Sequence, residues 1–316
     1  MGMPDVGHHG EPHTMTRVIA LGLLLTAGTL TLAATSRAPV QEPKRVTIQS
    51  MDVRENLYVI SGGGGHTAVL VTEADGVVLV DTKLAGWGQS ILEAVQAITS
   101  QPVTVIINTH THGDHVGGNA DFPATVEIVA HENAAARMGR MDIFAGAGAE
   151  FLPDRTFGDT LTLFEGHDQI DLYHFGAGHT DGDTVVVFPA LGTAHMGDLF
   201  AFRSPPYIDV SNGGSGVAYP DTLDRILASI DGVRRVIPGH IPPPSGSPMR
   251  GWTTWDDLRE YARFNRDFLE AARASREAGQ SVDEAVAALD LWARYPEYGM
   301  DRAAANMQAI YDELGR

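Results

Sequence analysis

Residues 103–119 read VTVIINTHTHGDHVGGN. The run Val103–Asn108 is continuously apolar up to its final residue, the pattern of a strand buried on both faces. It is followed at once by His110, His112, Asp114 and His115 within six residues. A loop leaving a rigid strand can turn alternate imidazoles one way and set the neighbouring Asp and His opposite them. Imidazoles this crowded repel one another when protonated, and bound cations remove that cost. The segment therefore offers ligands to two adjacent metal ions.

Working outward, Leu57–Ser61, Thr67–Thr72 and Val77–Asp81 read as strands, with a turn at Asp75-Gly76. Residues 90–99 have helical periodicity, with Ile91, Leu92, Val95 and Ile98 on one face. Downstream, 125–130 reads as a strand, 132–140 as a helix, 154–188 as mostly strand, 221–230 as a helix and 233–237 as a strand. Beyond Pro242, Pro243 and Pro244 the character changes, and 254–316 shows helical periodicity and almost no strand signal. The pattern predicts an α/β fold: two mixed sheets packed face to face with helices outside, over 46–245, and a C-terminal helical extension over 252–316. In the extension Trp255, Leu258, Tyr261, Phe264 and Phe268 recur every three or four residues, a stripe that reads as core packing and could wall one side of a substrate pocket.

The chain has no cysteine, so its metal ligands are His and carboxylate. That donor set suits zinc, iron or manganese rather than copper(I) or an iron–sulfur cluster. Three later motifs carry further candidates: Gly178-His179-Thr180, followed by Gly182-Asp183; Asp198 in HMGDLF; and His240 in IPGHIP.

Taken with His110-x-His112-x-Asp114-His115 and in this order, the motifs resemble those of the metallo-β-lactamase superfamily. The resemblance implies an αββα sandwich with two zinc ions at one edge. It implies His110, His112 and His179 on the first ion, Asp114, His115 and His240 on the second, and Asp198 bridging both. It also implies a hydrolase in which a metal-bridging hydroxide cleaves a small ester, thioester, lactone or β-lactam, with Asp114 and Asp198 in the catalytic machinery. Many β-lactamases proper carry Cys at the position of Asp198 and others Ser. Asp there is shared with the thioesterase- and lactonase-like members, and its added negative charge tempers the Lewis acidity of the pair. Antibiotic hydrolysis, an iron-dependent redox relative such as a persulfide dioxygenase, and a non-enzymatic metal-binding protein are the competing readings.

Other residues are weaker candidates. Asp81 ends a strand at a position that the resemblance implies supports the ligands from behind. Tyr207, Asn212 and Tyr219 lie in the long segment 201–220 and are candidate substrate contacts. His131 reads as structural, and His66, His174 and His195 as scaffold or pocket residues. Four glycines, Gly62 to Gly65, suggest a flexible hairpin tip that closes over substrate or is merely loose.

The formal net charge of −18 disfavours nucleic acid and anionic membranes as partners and leaves a small molecule as the expected substrate. Val18 to Ala34 is apolar and uncharged behind Arg17, with Ser36 and Ala38 spaced for cleavage before Pro39. Residues 1–38 therefore read as a cleaved signal, with Met15 as an alternative start, His8, His9 and His13 ahead of it, and an uncleaved anchor as the other reading. A cleaved signal implies a periplasmic or secreted protein with no stable membrane association. The sequence leaves the oligomeric state open.

Overall fold

The computed structural model describes residues 45–52, 56–241 and 250–315. The expected signal segment lies outside these residues. No helix among the described residues is long and apolar enough to cross a membrane.

Seven strands form the first sheet in sequence order: β1 (Thr47–Asp52), β2 (Leu57–Ser61), β3 (Thr67–Val71), β4 (Val77–Val80), β5 (Val103–Asn108), β6 (Glu127–His131) and β7 (Arg155–Phe157). The first four pair antiparallel, and β4 to β7 run parallel. Helix α1 (Gly88–Gln96) makes the crossover from β4 to β5 that a parallel pair requires. The second sheet contains β8 (Thr160–Leu163), β9 (Ile170–Tyr173), β10 (Val185–Phe188), β11 (Thr193–Gly197), β12 (Arg235–Pro238) and β13 (Thr253–Thr254). Only β11 and β12 are parallel there, joined through α4 (Tyr219–Ser229).

The alternation of each strand explains the layering. Val78, Val80, Val105 and Ile107 of the first sheet meet Ile170, Leu172, Val186, Phe188 and Ile237 of the second in the central core. Their neighbours Val77, Leu79 and Ile106 point the other way, onto Ile91 and Val95 of α1. On the far side, Val185, Val187, Ala194, Met196 and Val236 pack under α4 and three further helices: α5 (Trp255–Glu277), α6 (Val282–Ala287) and α7 (Ala303–Leu314). Strands covered on both faces read as unbroken apolar runs, which is why Val105–Ile107 and VVVF carry no polar alternation.

The stripe Trp255, Leu258, Tyr261, Phe264 and Phe268 is buried in that outer layer. The helical extension thus covers the outer face of the second sheet. The strand content of this region differs from the sequence expectation in one respect. Thr253 and Thr254 pair with Val236 and Arg235, so the last strand lies at the start of the helical extension, which carries almost no strand signal in the sequence. Two residues are too few to show a period. Thr254 also opens α5, with a reciprocal capping box to Asp257.

Candidate metal centre

The parallel pairs β4/β5 and β11/β12 deliver the site. Asp81 follows β4, the stretch from His110 to His115 follows β5, Asp198 follows β11, and His240 lies two residues past β12. His179 sits in the connection from β9 to β10. Loops at the carboxyl ends of parallel strands are where open sheets gather ligand-binding groups. Asp114 and His115 are carried on a single turn, α2 (Gly113–Val116).

All seven residues singled out from the motifs come together. Potential ligand atoms of His110, His112, His179 and Asp198 lie within 4.8 Å of one another, and so do those of Asp114, His115 and His240. Asp198 faces both groups: its Oδ1 is 3.2 Å from His115 Nε2 and 3.4 Å from His240 Nε2, and its Oδ2 is 3.8 Å from His179 Nε2. Gly239 allows this, because a Cβ there would stand 1.9 Å from Asp198 Oδ1.

Hydrogen bonds set the tautomer of each buried ring. His179 Nδ1 donates to the Tyr207 carbonyl at 2.6 Å, and His112 Nε2 to Asp209 Oδ2 at 2.8 Å. The remaining lone pairs, on His179 Nε2 and His112 Nδ1, then face each other at 2.9 Å. His115 Nδ1 donates to Asp81 Oδ2 at 2.7 Å, leaving its Nε2 bare 3.3 Å from His240 Nε2. Thr109 gives its hydroxyl proton to Asp81 Oδ2 at 2.7 Å and so receives His110 Nδ1 at 3.0 Å. His110 Nε2 and Asp198 Oδ1 are buried with no hydrogen-bond partner among the described residues. Bare nitrogens converging on one another and on an unpartnered carboxylate oxygen are mutually repulsive. A cation in each group turns that repulsion into ligation, so the donor set fits metal ions. Burial, reinforced by His115 and His179, holds His110 well below the usual histidine range, and burial takes His179 to about 4, whereas Asp198 and Asp81 outweigh burial and hold His115 well above it.

Asp81 lies behind the group. It reaches His115 directly and His110 through Thr109, and its Oδ1 accepts the Thr109 amide at 2.8 Å. It does so from a left-handed backbone conformation, φ 65°, an uncommon and costly position for Asp.

Several expectations are corrected. Tyr219 does not contact the cavity; it is buried, and its hydroxyl donates to the Asp198 carbonyl at 3.3 Å. Asn212 spends its amide on Asp209 Oδ2 at 2.7 Å. The Gly62–Gly65 tip is pinned rather than loose. Gly65 N donates to the Asp114 carbonyl, and the buried Lys83 ammonium donates to the Gly65 and Ile60 carbonyls. Burial brings that lysine down to about 7. Among the remaining histidines, His131 caps α3 (Glu132–Met138) and stacks on His174, and His66 and His195 brace the tip against the end of β12. Asp183 locks the His179 loop by accepting from Thr180 N and Oγ1, and burial raises its carboxyl to about 7. Sequence reasoning missed Asp209, Thr109 and Lys83. Only Asp209 carries a local cue, an Asx turn accepting from Ser211 N and Asn212 N.

A cavity of about 730 Å³ opens over the cluster. His112, Asp114, His179, Asp198 and His240 form its floor, with Ala201, Ser204, Tyr207, Asp301 and Arg302 among its walls. The model of the metallo-beta-lactamase superfamily matches residues 61–254, well over half of the chain. The chain belongs to that superfamily.

Its relatives include human metallo-beta-lactamase domain-containing protein 1, 30% identical over 186 residues, covering 58% of this chain and 64% of the relative. The match thus spans slightly less than two-thirds of the human protein. A hydroxyacylglutathione hydrolase from Synechococcus is 30% identical over 191 residues, covering 60% of this chain and 62% of the relative. Among solved structures, the stereoselective inverting sec-alkylsulfatase from Pseudomonas superposes with a TM-score of 0.67 at 15% identity. It covers 85% of this chain and 50% of its own, a likeness of fold.

Proposed function

We propose that this superfamily member is a dinuclear zinc-dependent hydrolase of a small ester, thioester, lactone or β-lactam, acting outside the cytoplasm. The observation that carries the reading is the pair of converging donor groups with Asp198 facing both, one carboxylate oxygen towards each. His110, His112 and His179 would hold one cation and Asp114, His115 and His240 the other, with Asp198 between them. When bound, two such cations supply Lewis acidity and a water ionised near neutral pH.

The chain's own groups do the rest. Asp81, Thr109, Asp209 and the Tyr207 carbonyl hold the imidazoles in the tautomers that present bare nitrogens. Asp114 is about one-third exposed to the cavity, with Oδ2 3.1 Å from His240 Nε2. It is the carboxylate placed to take a proton from the attacking water and release it to the leaving group. The family membership and a relative named as a hydroxyacylglutathione hydrolase support hydrolysis. The uncharged stretch from Val18 to Ala34 supports export.

The test is a panel of nitrocefin, acyl-homoserine lactones, S-lactoylglutathione and phosphodiesters, offered to chelated and zinc-reconstituted protein. Hydrolysis of at least one ester, thioester, lactone or lactam, lost on chelation and restored by zinc, is expected. Oxygen consumption that requires iron, with no hydrolysis by the zinc form, overturns the reading.

A further inference from the structure

Resting on that reading, we infer that the substrate carries a carboxylate, and that Arg302 is the specificity residue that engages it. Arg302 is the only Lys or Arg lining the cavity among the described residues. Asp114, Asp198, Asp209 and Asp301 also line it, so the wall around Arg302 does not otherwise favour an anion. Arg137, Arg203, Arg259, Arg266 and Arg294 each rest on a carboxylate, whereas Arg302 forms no ion pair among the described residues.

Arg302 is exposed at the cavity wall, and its guanidinium carbon lies 5.6 Å from the centre of the half-exposed Tyr207 ring, within cation–π range. The same ring is 5.7 Å from that of His112 and 5.6 Å from that of His179. The Tyr207 carbonyl holds His179 Nδ1, and the preceding Pro206 carbonyl accepts from Asn306 in the first turn of α7 at 2.9 Å. Arg302 occupies the N-cap position of that helix, with no capping hydrogen bond from its side chain. One short segment thus ties the guanidinium to the metal-facing imidazoles. A substrate with its scissile carbonyl over the cluster and a carboxylate a few bonds away spans the two. A fixed guanidinium fork is the group that reads a carboxylate in two parallel hydrogen bonds.

Two measurements test this on zinc-loaded protein, because turnover alone cannot separate the inference from the hydrolase reading. The first compares monomethyl glutarate with the uncharged methyl valerate, matched in chain length. Wild type is expected to favour the anion by about tenfold or more in kcat/KM, the scale of a charged hydrogen bond. Arg302→Ala should bring the ratio near one through KM, with Arg302→Lys in between. The second is calorimetric binding of glutarate and glutaramide without turnover. Glutarate should bind Arg302→Ala about tenfold more weakly than wild type, and glutaramide should not distinguish them. If neither ester turns over but glutarate binding depends on Arg302, the inference stands and esterase activity falls. Equal glutarate affinity in wild type and Arg302→Ala overturns the inference, whatever the enzyme hydrolyses.

Discussion

Asp81 Oδ2 lies 2.7 Å from His115 Nδ1, and both side chains are fully buried. The same oxygen accepts the Thr109 hydroxyl that receives His110 Nδ1. One carboxylate therefore governs the tautomers of two rings that belong to different donor groups. Asp81→Asn keeps the size and tolerates the left-handed backbone, but turns one oxygen into an amide. Zinc affinity should fall about 10- to 100-fold, with activity following, the range seen when groups behind a ligand are changed. Competition against a chromophoric chelator measures it; wild-type affinity in Asp81→Asn would show that the contact is only structural.

Asp209 plays the corresponding role for His112, through the 2.8 Å bond to Nε2. Its carboxyl is held below the usual range despite partial burial, because Ser211, His112 and Asn212 all hydrogen-bond to it. Asp209→Ala should weaken zinc binding about tenfold or more. Asn212→Ala should move it less, since Asn212 acts only through Asp209. Equal zinc affinities in the two variants, by the same chelator titration, would contradict that order.

Gly65 bears on the ligand geometry from the opposite side. A Cβ there would stand 2.2 Å from His115 Cε1, in a place where the ring is fully buried. Gly65→Ala must displace the imidazole or the tip. The account predicts a destabilisation of about 1–3 kcal/mol together with weaker zinc binding. Thermal melting and metal content measured on one sample check both; a normal zinc content at reduced stability would place the strain elsewhere.

The motif residues were legible because they are local. Four of the seven lie within six positions after a strand whose bounds, Val103–Asn108, match the sequence reading. Each of the other three also sits in a short recognisable motif. Their supports were not legible. His112 and Asp209 meet across 97 residues, and Arg302 reaches Tyr207 only once α7 has docked. Composition marks 201–220 as a functional loop, but it gives no direction to a side chain. Tyr207 and Tyr219 look alike in sequence, yet Tyr207 faces the cavity and Tyr219 the core. The glycine tip was misread for a related reason: a close approach needs glycine just as a loose loop does.

Acid sensitivity follows from histidines outside the metal groups. Burial is the largest cause in taking His66 to about 3 and His195 to about 4, both from an ordinary 6.5. Below about pH 6.5 the unfolded chain binds protons that the folded chain refuses. Stability from this source is therefore complete above pH 6.5 and is lost as pH falls towards 4, on the order of 1.4 kcal/mol per unit for each group. Urea melts of metal-free protein from pH 4 to pH 7.5 should show the midpoint falling on the acid side. A midpoint that is flat or rises below pH 6 would contradict the burial argument.

The central claim is that Asp198 lies between two bound cations, and metal stoichiometry of Asp198→Ala measures it most directly. Inductively coupled plasma mass spectrometry after dialysis against zinc should give about two zinc ions per wild-type chain. Asp198→Ala should retain about one, with turnover down by several orders of magnitude, because Asp114, His115 and His240 hold the second ion less tightly alone. Two tightly held zinc ions and an unchanged rate in Asp198→Ala would contradict the account.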